Sequence, residues 1–369
     1  MPRLLLVKLG AIGDVVMTLP AAYAMHRAGY TVDWLCGAAV APVLGLYPWV
    51  HPVPCDDRTL LRGSVPQRIA AMLALWRQLP RVRYDLCATL YQDARYALLT
   101  LPVRARRRFQ LSPRDRATHL LPGRHATDEY ARILLAHAAS PHPDGEMPTQ
   151  LSPLPIAGLP PNPLPLTGGR PRIVLIAAGA RNTLRDDALR RWPIDAYVQL
   201  AAALLERNCE VVLAGGPDDA WASPHFAHLP VTDLTGTLSL LQMLALLDSA
   251  AITVTHDTGP LHLAGLTSTA IVTIFGPTDP RTRLPQRANC VALWGGEGFA
   301  CRPCYDGRDY APCTHNGCMH QITPAMVLQQ IDTLLSAQRS GSPQLPRIVV
   351  PAHSPLHAQL VELAPRQGR

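Results

Sequence analysis

Short apolar runs bounded by glycine, proline and polar turns alternate along this chain with stretches in which apolar residues recur every third or fourth position. The first pattern suits buried strands and the second suits helices that lay one face on a sheet. Their alternation predicts an α/β fold with parallel sheets. In the first half the strands fall at Leu4 to Lys8, Thr31 to Cys36 and Leu86 to Thr89. The helical pattern runs through Val15, Val16, Leu19, Ala22, Tyr23 and Met25, then over Gln67 to Gln78, Asp93 to Leu101 and Thr127 to Ala138. The second half repeats the scheme, with strands at 172–178, 210–214, 251–255 and 270–275 and helices at 194–207, 239–247, from Pro260 onward, and 324–337.

Two stretches break the alternation. Ser140 to Pro171 holds ten prolines, which favour extended chain over helix or sheet and mark an interdomain linker. Ser340 to Arg369, rich in Pro and Ser, reads as a loose tail. The expected organisation is therefore a first domain at 1–150, a linker at 151–171, a second domain at 172–337 and a tail at 338–369. A length of 369 residues fits two cores better than one.

Composition narrows the class. The chain is 48% hydrophobic and 17% charged, which is globular and not disordered. Its longest apolar stretch, Leu238 to Val254, is interrupted by Gln242 and Asp248, so no membrane span is expected. The opening LLLV is too short for a signal peptide and is followed by Lys8 and Asp14, which points to the cytoplasm. A net charge of +7 and a pI near 9.1 imply acidic partners: phosphorylated lipid, a membrane face or nucleic acid. Nucleic acid is the weakest of these, since no zinc-finger or RNP pattern occurs and only four Phe are present.

The richest stretch is Val254 to Pro280. A strand ending at Thr255 turns through His256, Asp257, Thr258 and Gly259 into a helix that opens with Pro260, Leu261 and His262. The first N–H groups of a helix lack intrahelical acceptors and carry partial positive charge, so such a turn suits an anion. Capping by Asp257 or Thr258 explains the same residues equally well. The following strand ends in Gly276-Pro277-Thr278-Asp279-Pro280, a second turn on the same sheet edge. Near the amino terminus, Leu9-Gly10-Ala11-Ile12-Gly13-Asp14 joins the first strand to the first helix. Its G-x-x-G spacing is not the dinucleotide fingerprint. Asp14 is either the cap of that helix or a functional carboxylate on the strand's carboxy-terminal edge.

Together, D-T-G-P-L-H-L-A with F-G-P-T-D-P, and the opening V-K-L-G-A-I-G-D-V-V-x-T-L-P, resemble the signatures of glycosyltransferase family 9, the ADP-heptose heptosyltransferases. The resemblance covers roughly residues 3 to 335. It implies a GT-B fold, two Rossmann-like domains facing across a cleft, with the acceptor held by the first and the nucleotide sugar by the second. It also implies that Asp14 is the general base of an inverting transfer. The donor would be met by Lys8, Gly13, Arg190, Asp219, Asp257, Thr258, Gly259, Pro260 and His262. Asp219 stands where the family usually has Glu, His262 is equally readable as a structural hydrogen-bonding group, and Arg181, Arg185 and Arg191 rival Arg190 within one loop. No D-x-D triplet occurs, so no carboxylate-bound catalytic metal is expected.

Two further clusters remain. Arg104, Arg106, Arg107 and Arg108 form the densest basic patch, either a solvated face or a site for a phosphorylated saccharide acceptor. Cys301, Cys304, Cys313 and Cys318 are candidate ligands for a structural zinc or iron, with packed thiols or a disulfide as alternatives. Some family members carry a similar cysteine-rich loop, and related enzymes that heptosylate bacterial autotransporter proteins bind iron through cysteines. The expected acceptor is the lipopolysaccharide inner core, reached by peripheral contact with the inner membrane. A Ser or Thr hydroxyl on a protein, an epimerase on the same fold and an inactive nucleotide-sugar-binding subunit are the rivals.

Overall fold

The computed structural model describes residues 1–138, 158–166, 169–180, 187–306 and 309–351. The chain divides into two compact units that meet in sequence at residues 159 and 160.

In the first unit, β1 (Arg3–Val7), α1 (Ile12–Arg27), β2 (Thr31–Gly37), α2 (Ala41–Leu44) and β3 (Val50–Cys55) are followed by α3 (Asp57–Arg62) and α4 (Val65–Gln78). Then come β4 (Arg83–Thr89), β5 (Arg104–Gln110) and α5 (Ala126–Ala136). The strands form one parallel sheet in the order β3-β2-β1-β4-β5. Leu4, Leu5, Leu6 and Val7 are all buried, as a central strand covered on both faces requires. The sequence pattern misses β3 and β5, and both are edges. Pro52 and Pro54 argue against a strand, yet an edge tolerates prolines that the middle of a sheet would not. The arginines of β5 hide its pattern and fit the charged edge that discourages further strand pairing. The helix expected over 93–101 is a 3₁₀ turn, Ala94–Thr100, opened by the Asp93 carboxylate accepting from the Arg95 amide.

The second unit contains β6 (Arg172–Leu175), α6 (Ile194–Glu206), β7 (Glu210–Leu213), β8 (Thr232–Asp233), α7 (Leu240–Asp248) and β9 (Ile252–His256). It continues with α8 (Gly259–Gly265), β10 (Ala270–Phe275), β11 (Cys290–Trp294), α9 (Gly317–His320), α10 (Pro324–Arg339) and β12 (Arg347–Val349). Its seven parallel strands run β12-β11-β10-β9-β6-β7-β8. One expectation needs correction here. The segment read as a loose tail supplies β12, which pairs Arg347, Ile348 and Val349 with Val291, Ala292 and Leu293. The apolar face of α10, with Val327, Ile331 and Leu334 wholly buried, lies on β9, β10 and α6. Part of the proline-rich linker, residues 151–157, 167 and 168, falls outside the described residues. Its end is anchored where the Leu164 and Pro165 carbonyls accept from the buried Arg172 guanidinium.

Each sheet reverses its direction of winding once, between β1 and β4 in the first unit and between β6 and β9 in the second. At such a point the connections leave to opposite sides, and a crevice opens outside the carboxy-terminal ends of the two strands.

Candidate active site

At the β1/β4 crevice the side chain of Lys8, the first residue beyond β1, is almost wholly buried. Its Nζ lies 3.2 Å from Asp14 Oδ2 and donates to the Leu90 carbonyl at 3.3 Å, just past β4. It also sits over the rings of Tyr91 and Tyr130, 4.5 and 5.3 Å from their centroids. Burial alone would lower the lysine's pKa. Asp14 and the two tyrosine hydroxyls outweigh it and hold the ammonium above its ordinary value.

Asp14 is the third residue of α1, and the cap position belongs to Ala11, which makes no side-chain cap bond. The carboxylate therefore pairs with Lys8 and is not the helix cap. The Asp14 side chain keeps about 36% of its surface exposed, so the carboxylate beside Lys8 is open to a ligand. Gly13, beside it, is buried in the first turn of α1.

Tyr91, which the sequence reading missed, fixes this loop. Its hydroxyl accepts from the Leu9 and Gly10 amides at 2.8 and 3.0 Å and donates to the Gly10 carbonyl at 2.7 Å. Its only sequence signal is its place two residues beyond a strand at the switch point.

At the β6/β9 crevice, Gly179 and Thr258 meet. Gly179 has a φ of +94°, and a Cβ there would come 3.5 Å from Thr258 Cγ2, so the position favours glycine on backbone grounds alone. Its N–H donates to Asp219 Oδ1 at 2.8 Å, and its carbonyl accepts from Arg191 Nε at 2.8 Å. The second Asp219 oxygen accepts from Gly216 N at 2.8 Å. Asp219 and Arg191 thus brace the loops after β6 and β7. Thr258 is the N-cap of α8, and its hydroxyl bonds Thr255 Oγ1 at 3.3 Å instead of its own helix. Gly259 and Pro260 open that helix, which is only seven residues long, so its macrodipole is small and the local amides matter more.

Behind this turn lies a buried ion cluster. Asp257 is 2% exposed, with Oδ2 at 3.3 Å from Arg190 Nη1 and 3.9 Å from Arg283 Nε. Burial by itself would raise the Asp257 carboxyl, but Arg190, Arg283 and His262 hold it below the ordinary carboxylate range. Arg190 also donates from Nε to Tyr310 Oη at 2.5 Å, and its guanidinium lies 5.0 Å from the Tyr305 ring centroid. Arg283 sits 5.8 Å from the same ring. Arg283, Tyr305 and Tyr310 are additions from the structure. Arg283 follows the F-G-P-T-D-P motif closely, whereas nothing in the sequence separates the two tyrosines from others. His262 is buried in α8. Of the rival arginines, Arg191 is the brace already described, and Arg181 and Arg185 lie outside the described residues.

His256, wholly buried at the end of β9, meets Tyr197 Oη at 3.1 Å through Nδ1. Burial first, then the Arg191 and Arg190 charges, push its pKa down to about 3. A depressed folded-state value means that the unfolded chain binds a proton the native state refuses. Stability from this group is complete above pH ~6.5 and falls as the pH drops toward 3, by up to about 1.4 kcal/mol per pH unit. Urea unfolding of the second unit at pH 7 and pH 5 should show this loss in the native protein and less of it in His256→Asn. Equal pH slopes would contradict the assignment.

The arginine patch does not gather into one site. Arg107 Nη1 donates to the His137 carbonyl at the end of α5, and Arg108 donates to the carbonyls of Thr100 and Val103, so both are used within the fold. Arg104 pairs with Arg83 at the amino-terminal end of β5, away from the crevice edge, and Arg106 is exposed between them. The cysteine expectation is also corrected. All four are free thiols, and no group of three or more metal-ligating side chains forms among the described residues. Cys313 accepts from Asn316 N at 3.3 Å, and Cys318 donates to Asn316 Oδ1 at 3.7 Å. Burial, with the neighbouring Cys304, Cys313 and Cys301 thiols adding to it, pushes the Cys318 thiol up to about 12.

Comparison with known proteins agrees with the family resemblance. Residues 72–315 match the model for glycosyltransferase family 9 (heptosyltransferase). The chain is 30% identical over 158 residues to lipopolysaccharide heptosyltransferase 3 of Escherichia coli, a match that spans 41% of this chain and 45% of that relative. It is 27% identical over 366 residues to lipopolysaccharide heptosyltransferase 1 of Pseudomonas aeruginosa, covering 91% of this chain and 98% of the other. Among solved structures, the E. coli heptosyltransferase WaaC with ADP-2-deoxy-2-fluoro heptose superposes with a TM-score of 0.65 at 21% identity, over 90% of this chain and 99% of that one. The two parallel-sheet α/β units are those of the GT-B fold. On its motifs, its fold and the family match over most of its length, this chain belongs to glycosyltransferase family 9.

Proposed function

We propose that the protein transfers heptose from ADP-heptose to a hydroxyl of a lipid-linked saccharide, the lipopolysaccharide inner core, with inversion at the anomeric carbon. The observation that carries this reading is that both sheet switch points hold a family motif. Lys8 and Asp14 stand at one, and Gly179, Asp257 and Thr258 at the other.

In the reaction, the acceptor hydroxyl oxygen forms a bond to the anomeric carbon as the bond to the ADP oxygen breaks. Asp14 takes the hydroxyl proton. ADP departs with an added negative charge, which the backbone around Thr258 and Gly259 and the Arg190 and Arg283 guanidiniums stabilise. Within the first unit Lys8 holds the Asp14 carboxylate, and within the second Asp257 and Asp219 act by holding the arginines and loops in place. A single in-line displacement inverts the sugar carbon.

A protein acceptor is less favoured, because the cysteine cluster that leaned toward it gathers no ligand set among the described residues. Mass spectrometry after incubation with ADP-heptose should show one heptose added to the lipid-linked core saccharide. Addition to Ser or Thr of a surface protein, with the saccharide untouched, would replace this reading with its rival.

A further inference from the structure

Helix α4 buries little of itself, with Leu75 its one buried side chain. Val65, Ile69 and Leu73, spaced four apart on one face, are 68%, 55% and 43% exposed. The neighbouring 3₁₀ turn, tied to α4 by the Trp76 indole donating to the Leu98 carbonyl at 3.1 Å, adds Leu98 and Leu101 at 50% and 64%. Among the described residues these five are all the large exposed apolar side chains of the first unit apart from Met1. Burying them against water is unfavourable to leave undone, so a ridge of this kind marks a surface with a partner.

The charges around the ridge say which partner. Arg58, Arg62, Arg68, Arg77, Arg81 and Arg83 are exposed along residues 57–83, where Asp57 is the one acidic residue and α4 itself has none. Two copies of this face would bring like charges together. An apolar stripe flanked by arginines suits instead a bilayer surface with anionic headgroups, the stripe entering the acyl boundary and the guanidiniums meeting phosphate.

We propose that the ridge of α4 and residues 94–101 docks the first unit onto an anionic membrane surface. This deepens the lipid-linked acceptor reading. Vesicle binding is measured without substrate, so its failure and the failure of the transferase reading are separate results.

The test is co-sedimentation of the full chain with phosphatidylcholine vesicles, with and without phosphatidylglycerol. Binding is expected to the phosphatidylglycerol vesicles and to weaken with salt. Ile69→Asp with Leu73→Asp should lower it by about tenfold or more. Arg68→Glu with Arg77→Glu should lower it most at low salt. All four positions are exposed, so the thermal midpoint and ADP affinity should stay unchanged in both double variants. Absence of wild-type binding, or equal binding by the variants, overturns the proposal. So does a concentration-dependent dimer that Ile69→Asp dissolves, which would assign the face to a second copy.

Discussion

Asp14→Asn is expected to lower kcat by about two to four orders of magnitude while leaving ADP affinity nearly unchanged. The side chain keeps its size, and an amide can still meet Lys8 Nζ through its oxygen across the present 3.2 Å. What it loses is the capacity to accept the acceptor's proton. A thermal midpoint close to that of the native protein would show that the fall in turnover does not come from a frayed α1. Stopped-flow ADP release and calorimetry with ADP would separate the two quantities. Turnover near normal would remove Asp14 from the chemistry.

Arg190→Ala has two expected effects. ADP affinity should fall by about 10- to 150-fold, the range for a lost charge-assisted hydrogen bond. Stability of the second unit should fall as well, by about 3–5 kcal/mol, because the Asp257 carboxylate is left buried without its nearest counter-charge. Arg190→Ala combined with Asp257→Ala should recover part of the stability and none of the affinity. Unchanged ADP affinity in the single variant would return Arg190 to a purely structural place under Tyr305 and Tyr310.

Strands such as Leu4 to Val7 and Ala270 to Phe275 were legible because they are covered on two faces and so read as unbroken apolar runs, yet the interior strand Cys290–Trp294, buried throughout, was passed over. Edge strands escaped for the opposite reason. Prolines at 52 and 54, arginines along β5 and the isolated Arg347–Val349 are residues an edge allows and a pattern search rejects. The site followed the same division. Residues in the turns directly after β1 and β9 stand out in sequence because tight turns demand particular residue types. The residues that hold those turns come from far along the chain. Tyr91 reaches the Gly10 loop, Asp219 reaches Gly179, and Tyr310 reaches Arg190, each by a bond that only the folded topology brings about. In the arginine patch, Arg107 and Arg108 are taken up by carbonyls of the fold, a use that a run of charges in sequence does not reveal.

The central claim is that the nucleotide sits at the β6/β9 switch point of the second unit. Amide hydrogen exchange of the full chain with and without ADP tests it most directly. The account predicts slower exchange on ADP binding in the peptides that span Ala177 to Ala180 and His256 to His262, with residues 104–110 unaffected. ADP binding that leaves both of those peptides unchanged and protects another part of the chain would contradict it.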